Sequence, residues 1–298
     1  MTEAKGKIAL AGGTGFIGND FRLRFERLGY DVVDISRRPG HVAWNDAEGI
    51  VQALEGAELL INLAGRTVNC RYNADNREQI LRSRIETTRM LGEAAQACAV
   101  PPKLWINSST ATIYRHAEDR PMTEEDGEIG AGFSVDVAKA WEEAFFGFRL
   151  PQTRQVALRI AIALGPNGGV MTPYLNLVRY GLGGAQGSGR QMFSWIHVED
   201  VFRIVRFVQE RERIEGVLNA AAPHPVPNRE LMRALRAAMG RKLGLPAPRP
   251  MLELGAWLLR TETELILKSR WVVPDRLTKE GFEFKYPTLD RALKQILS

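Results

Sequence analysis

The chain has 298 residues, 45% of them hydrophobic, so it can bury a large core as one α/β domain or as one domain with a smaller partner. Its 40 basic and 35 acidic residues give a formal charge of +5, but they are interspersed without a long basic tract, which argues against a nucleic-acid partner. Cys70 and Cys98 show neither metal-ligand spacing nor a disulfide framework, and no secretory or membrane-spanning segment is visible, so we expect a cytoplasmic protein without a metal or a membrane partner.

The first predicted element is a short apolar strand that begins at Lys7 and runs into a turn with three glycines at spacing three. Helical, Arg-rich sequence then continues to Leu28. Glycines allow a tight reversal and the close approach of a pyrophosphate, while the N-terminus of the helix presents unpaired N–H groups to phosphate. The turn therefore predicts a dinucleotide site, with the contacts Gly12, Thr14, Gly15, Phe16, Ile17 and Gly18.

The second predicted strand, residues 31–35, bears on the choice of dinucleotide. An acidic residue at its tip accepts hydrogen bonds from the adenosine ribose, whereas Ser or Arg accommodates a 2′-phosphate. Asp34 lies two residues before the tip, so Ser36, Arg37 and Arg38 are the predicted contacts and NADP(H) is predicted in preference to NAD(H). The alternative is that the two arginines are solvated loop charges.

Strands and helices continue to alternate through the first half of the chain. Further strands are predicted at 59–63, 103–108 and 156–163, and helices at 48–54, 77–97, 135–148, 171–180 and 198–209. Strands separated by helices indicate crossover connections and a parallel sheet, as in a Rossmann-type doubly wound α/β fold. Glycine-dense loops and clustered prolines follow residue 164. We expect a nucleotide-binding domain over 1–164, rejoined by 195–220, and a smaller substrate-binding lobe over 165–194 and 221–298.

Four motifs together resemble the extended short-chain dehydrogenases/reductases, and in particular the nucleotide-sugar epimerases and dehydratases. They are Gly12 to Gly18, Asn62 to Gly65, Ser108 to Tyr114 and Trp195 to Asp200. A narrower resemblance, to YfcH-like epimerase-like proteins, rests on Ser83 to Ile85, Gly187 to His197, Asn219 to Pro225 and Gly281 to Phe284. The resemblance implies that Asn62, Leu63, Ala64 and Gly65 line the adenosine and ribose side of the cofactor and that Ser108 and Ser109 lie beside the nicotinamide.

The acid–base residues depart from this family pattern. The superfamily uses a Tyr, a Lys four positions later and a Ser or Thr hydroxyl. Thr110 takes the hydroxyl position, but the alignment puts Ser134 at the Tyr and Ala138 at the Lys, and no register of this helix yields the pair. The remaining catalytic candidates are Thr110, Tyr114, Lys139 and Glu142. The alternative for Lys139 is a solvated helix face, because it lies off the apolar stripe.

Candidate substrate contacts lie in both halves of the chain. They are Arg159, Arg190, Gln191 and Ser194, while Arg71, Arg82 and Arg84 are candidates for a substrate phosphate. His197 lies between apolar residues, which favours a buried structural role. We expect an NADP(H)-binding epimerase-like protein or oxidoreductase that transfers hydride to a small molecule, a nucleotide sugar being one candidate; a homodimer is left open. The alternative is a regulatory or scaffold protein that binds NADP(H) without turnover.

Overall fold

The predicted apolar strands form one parallel sheet with helices on both faces. The computed structural model describes residues 5–166, 168–258 and 262–298. The strands are β1 (Lys7–Ala11), β2 (Asp31–Ile35), β3 (Leu59–Asn62), β4 (Leu104–Thr110), β5 (Arg154–Ile160), β6 (Ile162–Leu164), β7 (Met192–Phe193), β8 (Trp195–His197), β9 (Gly216–Ala220) and β10 (Val226–Pro227).

The helices connect these strands or belong to the C-terminal half of the chain. They are α1 (Phe16–Arg27), α2 (Ala47–Leu54), α3 (Ala74–Ala97), α4 (Phe133–Phe146), α5 (Met171–Arg179), α6 (Val198–Gln209), α7 (Asn228–Ala238), α8 (Arg249–Leu258), α9 (Glu264–Leu267), α10 (Asp275–Lys279) and α11 (Leu289–Ile296). A short 3₁₀ helix, Ala111–Ile113, follows β4.

The main sheet has the strand order β2-β1-β3-β4-β5-β9, with every pairing parallel. The predicted doubly wound parallel sheet is thereby confirmed. The direction of winding reverses between β1 and β3, and ligands of such sheets bind outside the carboxyl ends of the strands at this switch point. The glycine turn after β1 and the turn after β3 lie at that position.

One predicted strand is wrong in its extent. The apolar run predicted as a single strand over 156–163 is divided at Ala161 into β5 and β6. The Ala161 amide still donates to Ala220 of the main sheet, but the Ile162 amide donates to Ser194, and β6 pairs with β8 in a separate small sheet. Strand β5 is largely buried and β6 partly so, and the apolar pattern runs through the point where the chain leaves the main sheet.

Three apolar cores hold the fold together. Successive residues of a strand point to opposite faces, so Ile8 packs in the core with α1 and α6, and Ala9 in the core with α2 and α3. The third core belongs to the second half of the chain and includes Met171, Trp195 and Leu293. The segment with Val272, Leu277 and Phe282 packs on the α1–α6 core of the main sheet.

Candidate functional site

The glycine turn after β1 contains two glycines that the packing of the protein itself requires. Gly12 has φ of +83°, and a Cβ there would lie 2.8 Å from the Ala64 amide nitrogen. A Cβ on Gly18 would overlap the Gly12 carbonyl oxygen. A Cβ on Gly15, in contrast, would find no described atom nearer than this oxygen, at 3.6 Å. The space beside Gly15 is therefore open to a ligand, which is what the approach of a pyrophosphate needs.

The N-terminus of α1, like that of α4, has no side-chain cap, whereas those of α2, α3 and α6 have one. Asp46 caps α2, Asn73 caps α3 and His197 caps α6 through side-chain acceptors. Among the described residues no side chain caps α1 at Gly15, and its first turn has no acidic residue. The positive end of the α1 dipole is thus not neutralised by the protein, and the turn fits the phosphates of a dinucleotide.

The other predicted residues of the glycine turn have different surroundings. Thr14 is exposed, whereas Ile17 is half-buried and packs against the α1–α6 core. The Phe16 ring faces the loop after β6, since a Cβ on Gly168 would lie 2.7 Å from it. Phe16 therefore links the glycine turn to the second half of the chain, and a ligand in the turn would lie next to this contact.

The tip of β2 presents two exposed arginines. Ser36 is buried, its Oγ lies 2.8 Å from His41 Nδ1, and it accepts a hydrogen bond from the Arg38 amide. In the described part of the chain, neither the Arg37 nor the Arg38 guanidinium forms an ion pair within 4.0 Å, and both side chains are exposed. These two charges are therefore available to an anionic ligand.

Asp34 lies beneath the glycine turn. A Cβ on Gly13 would overlap Asp34 Oδ1, so the carboxyl packs directly against the turn. Burial raises the pKa of Asp34, although His41 and Arg22 oppose the effect. This side chain therefore packs beneath the turn.

The turn after β3 is built on Asn62. Its buried side-chain amide donates to Thr88 Oγ1 at 3.1 Å and to Asn107 Oδ1 at 2.7 Å, and its Oδ1 accepts from the Ala64 amide at 3.0 Å. Asn62 therefore positions the turn, and Leu63 packs against the α1–α6 core.

Gly65, the last residue of this motif, lies under a guanidinium group. A Cβ on Gly65 would lie 3.2 Å from Arg84 Cζ. Arg84 donates to the carbonyls of Arg66 and Ile80 and lies over the Trp141 ring at 5.0 Å. Burial lowers its pKa to about 10. We call the glycine turn, the tip of β2 and the turn after β3 together the cofactor edge.

A second set of polar residues lies at the carboxyl ends of β4, β5 and β9. Ser109, Arg159 and Asn219 lie side by side in register. Ser109 donates to Glu142 Oε1 at 2.6 Å, and Arg159 donates to both Glu142 carboxylate oxygens, at 2.8 and 2.7 Å. We call these residues, together with Tyr114, the ion network.

Tyr114 closes the ion network on the side of β9. Its hydroxyl accepts from Arg159 and donates to Asn219 Oδ1, each at 2.9 Å. The Arg159 and Glu142 side chains are 10% and 12% exposed, and Tyr114 is buried. Burial raises the pKa of Tyr114. Burial also lowers the pKa of Arg159, but the hydrogen bonds and charges of Glu142 and Tyr114 together outweigh it and raise that pKa. The predicted residues Ser109, Tyr114, Glu142 and Arg159 thus come together, but their polar groups are satisfied by one another.

The other catalytic and nicotinamide-side candidates lie outside this network. Thr110 ends β4, and its Oγ1 accepts from the Thr112 amide at 3.1 Å, which caps the 3₁₀ helix. Ser108 is buried in β4 next to it. Lys139 is exposed on α4. Thr110 therefore stays at the carboxyl edge of the sheet, whereas Lys139 faces solvent.

The predicted substrate contacts of the loop before β8 mostly serve the fold. Gln191 is buried and donates to the Gln186 carbonyl at 2.8 Å. Ser194 is buried, donates to Val272 O and accepts from the Val272 amide. Arg190 alone of these three predicted loop residues is exposed, with its Nε 4.0 Å from Glu118.

Two sequence-based interpretations are resolved by hydrogen bonding. The structural role of His197 is confirmed: it accepts from the Glu199 amide at the start of α6, and its Nε2 lies 2.8 Å from Gln295 Oε1. Arg82 pairs with Glu78 and Glu86 on an exposed face of α3. Arg82 therefore points away from the carboxyl edge on which Arg84 lies.

The sequence did not predict a cluster that packs on the 3₁₀ helix beyond β4. The side chains of Lys268 and Arg270 donate to Thr112, at 2.7 and 3.0 Å. Ser134 Oγ donates to Glu264 at 3.2 Å, and the Tyr72 ring packs on the neighbouring Phe133, with centroids 5.0 Å apart. We call Tyr72, Ser134, Glu264, Lys268 and Arg270 the Tyr72 cluster.

Buried charge distinguishes the Tyr72 cluster from the surrounding surface. Arg270 is 6% exposed, and burial lowers its pKa. Burial also lowers the pKa of Lys268, to about 8, and the charge of Arg270 adds to this effect. The members of the cluster come from a loop after β3, the start of α4 and a C-terminal segment. Because these segments are far apart in sequence, no local sequence pattern predicts the cluster.

Comparison with known proteins identifies the family. A family model described as the NAD dependent epimerase/dehydratase family matches residues 8–221. The chain belongs to this NAD-dependent epimerase/dehydratase family. A second model, the domain of unknown function DUF1731, matches residues 247–296, which contain all three C-terminal members of the Tyr72 cluster, Glu264, Lys268 and Arg270. As a family member, the chain has a nicotinamide dinucleotide as its expected ligand.

Relatives cover nearly the whole chain. The human epimerase family protein SDR39U1 is 32% identical over 98% of this chain and 100% of its own length. The epimerase family protein YfhF of Bacillus subtilis (strain 168) is 31% identical, with 98% of each chain covered.

Solved structures agree with this assignment. Human SDR39U1 (isoform 2), crystallised with NADPH, has a TM-score of 0.88 and 33% identity and covers 98% of this chain and 99% of its own. A Thermotoga maritima UDP-glucose 4-epimerase solved with UDP-glucose shares the fold, with a TM-score of 0.75, 19% identity and coverage of 98% and 97%.

Two features are absent from the part of the chain that the structure describes. No helix there has the length and apolarity needed to cross a membrane. The same residues contain no group of three or more His, Cys, Asp or Glu side chains that could hold a metal ion.

Proposed function

We propose that the protein binds NADP(H) at the cofactor edge and transfers hydride between the nicotinamide and a small-molecule substrate, as an oxidoreductase or epimerase. The observation that carries this proposal is the uncapped N-terminus of α1 beside the open space at Gly15. The nicotinamide, when bound, supplies or accepts the hydride. The role of the chain is to orient cofactor and substrate and to move a proton.

The preference for NADP(H) over NAD(H) rests on the tip of β2. Arg37 and Arg38 are exposed there, and the neighbouring Ser36 hydroxyl is held by His41. A 2′-phosphate would give the two guanidinium groups an anionic partner, with charge-assisted hydrogen bonds. The relative crystallised with NADPH is consistent with this assignment.

The substrate side lies beyond β4, between the Tyr72 cluster and the second half of the chain. Arg84 and Lys268 donate there to main-chain carbonyls, although burial disfavours their charges. An anionic group on the substrate would offset this cost, and a nucleotide sugar carries such a group. In this proposal residues 165–194 and 221–298 form the substrate-binding lobe, with exposed Arg190 at its entrance.

A second candidate function is NADP(H) binding without turnover, as a regulatory or scaffold protein. The ion network favours it, because Tyr114 and Glu142 are engaged with Arg159, while the Lys139 side chain is exposed on α4. Ser134 and Ala138 stand where the superfamily has its Tyr and Lys. A homodimer and a cytoplasmic location stay predictions from the sequence.

Two measurements test the proposal. Titration with NADPH and with NADH tests the cofactor site, and we expect tighter binding of NADPH; equal affinities would remove the role of Ser36, Arg37 and Arg38. A screen of sugar nucleotides and small carbonyl compounds for oxidation of bound NADPH tests turnover. Activity that survives Thr110→Ala unchanged would exclude Thr110 from the mechanism, and complete inactivity of the NADPH complex would favour the second function.

A further inference from the structure

The carboxyl edge of β3 and β4 contains a phenol that the ion network does not engage. Tyr72 lies in the loop after β3, half-buried, with its ring against Phe133 and its hydroxyl next to Ser134 at the start of α4. We propose that Tyr72 is the catalytic residue that exchanges the proton with the substrate, in place of the tyrosine that α4 lacks. This inference rests on the proposed hydride transfer and names the residue that completes it.

The geometry holds Tyr72 in place from three sides. Its ring packs edge-on against Phe133, with centroids 5.0 Å apart. Its backbone amide donates to Glu262 Oε1 at 2.7 Å. The Ser134 hydroxyl that contacts the phenol donates in turn to Glu264 at 3.2 Å. A side chain constrained in this way can present its hydroxyl to a substrate with little loss of conformational freedom.

The other phenols at this end of the molecule are not available. Tyr114 is buried and donates to Asn219 within the ion network. Burial raises the pKa of Tyr174 to about 12, and its ring packs against Phe193 in the third core. Tyr72 is therefore the phenol that combines partial exposure with a position at the carboxyl edge of β3 and β4.

The charges around Tyr72 suit a proton donor. Burial raises its pKa, the hydrogen bond with Ser134 opposes this, and the charges of Glu264, Cys70 and Glu262 add to the increase. The phenol is therefore protonated at neutral pH. The guanidinium groups of Arg84 and Arg270 interact electrostatically with the same hydroxyl and would stabilise the phenolate left after proton transfer.

The proposed step is balanced in the direction of carbonyl reduction. The substrate carbon gains the hydride from reduced nicotinamide, and the substrate oxygen gains the Tyr72 proton, which gives an alcohol, the oxidised cofactor and a phenolate. The phenolate regains one proton from solvent. In the oxidative direction, the Tyr72 phenolate accepts the hydroxyl proton of the substrate and returns it to solvent.

The experiment measures whether the Tyr72 hydroxyl lies beside the nicotinamide, without any knowledge of the substrate. 3-Fluorotyrosine replaces the six tyrosines, and the fluorine resonances are titrated with pH in the NADP⁺ and NADPH complexes. The two cofactors differ by one positive charge on the nicotinamide ring. We expect the ratio of phenolate to phenol at Tyr72 to be about tenfold higher with NADP⁺, because a nearby positive charge favours the phenolate.

Controls assign the signal and isolate its cause. Tyr72→Phe removes one resonance and keeps the ring that packs on Phe133. Tyr180, which is 74% exposed, should titrate identically in both complexes.

The outcomes separate this inference from the proposed function. Binding of both cofactors with the same Tyr72 titration in each would overturn the catalytic role of Tyr72 and leave cofactor binding intact. Failure to bind either cofactor would overturn the proposed function, and the inference with it. A difference between the complexes that Tyr72→Phe abolishes supports both.

Discussion

The cofactor edge and the ion network both lie at the carboxyl ends of strands of the main sheet. They differ in whether their polar groups have hydrogen-bond partners within the protein. In the ion network, Ser109, Arg159 and Tyr114 are satisfied by Glu142 and Asn219. At the cofactor edge, Arg37 and Arg38 are exposed, and α1 starts without a side-chain cap among the described residues. Polar groups with internal partners hold the fold together, whereas polar groups without them are available to a ligand.

The largest expected effect comes from breaking the ion network. Glu142→Gln leaves the Arg159 guanidinium largely buried beside a neutral partner, and we expect the free energy of unfolding to fall by about 3–5 kcal/mol. Urea denaturation measures this change. Glu26→Gln is the matched control, since the Arg22–Glu26 pair is more exposed and should cost less than about 1 kcal/mol. Unchanged stability with lost NADPH binding would contradict the structural role of Glu142.

A pair of glycine variants separates fold from ligand within the glycine turn. Gly18→Ala places a Cβ against the Gly12 carbonyl, so we expect a loss of stability of about 1–3 kcal/mol. Gly15→Ala should keep the stability, because its Cβ has space, but should weaken NADPH binding about tenfold. Thermal unfolding and cofactor titration of both variants measure the two effects. Normal NADPH affinity in Gly15→Ala would show that no phosphate approaches this glycine.

Removing the exposed arginines at the tip of β2 tests whether the cofactor edge binds the 2′-phosphate. We expect Arg37→Ala/Arg38→Ala to weaken NADPH binding about tenfold, or about 1.4 kcal/mol, because the 2′-phosphate loses charge-assisted hydrogen bonds. NADH affinity and protein stability should be unchanged. Titration of the double variant with both cofactors measures this, and an equal loss for NADH would refute a specific contact with the 2′-phosphate.

The smallest expected effect is a pH dependence at the start of α6. Burial lowers the pKa of His197 in the folded protein, so the unfolded chain binds this proton more readily. The contribution of His197 to stability is therefore complete above about pH 6.5 and decreases as the pH falls below it, by at most about 1.4 kcal/mol per pH unit.

His197→Asn tests this pH dependence and keeps a capping acceptor for the Glu199 amide. Stability curves of the two proteins, measured by denaturation from pH 7 downwards, should differ in slope only in the acidic range. Parallel curves would show that His197 has the same pKa in the folded and the unfolded chain.

The fold and the cofactor edge could be predicted because their signals are local in sequence. Strand β2 and helix α6 have the predicted bounds, since turn residues and apolar periodicity mark their ends. The glycine turn could be recognised because its motif lies in seven consecutive residues, Gly12 to Gly18. Strand β5 was predicted too long because the apolar residues continue without a break past Ala161, where the chain passes from the main sheet to the small sheet with β8.

The contacts near β4 were harder to predict, for a physical reason. Tyr72, Ser134 and Glu264 meet only after the sheet and the C-terminal segment have packed, and each lies at least 60 residues from the next. The pattern could show that α4 lacks its tyrosine, but not which loop brings another phenol to Ser134. It also could not show that Glu142 and Arg159 neutralise each other.

A crystal structure of the NADPH complex tests the central claim most directly. The account predicts the pyrophosphate at Gly15 and the start of α1, the 2′-phosphate on Arg37 and Arg38, and the nicotinamide facing the Tyr72 hydroxyl. A cofactor that avoids the glycine turn would contradict the proposed site. A nicotinamide that faces only apolar side chains, with Tyr72 turned away, would contradict the proposed proton transfer and favour binding without turnover.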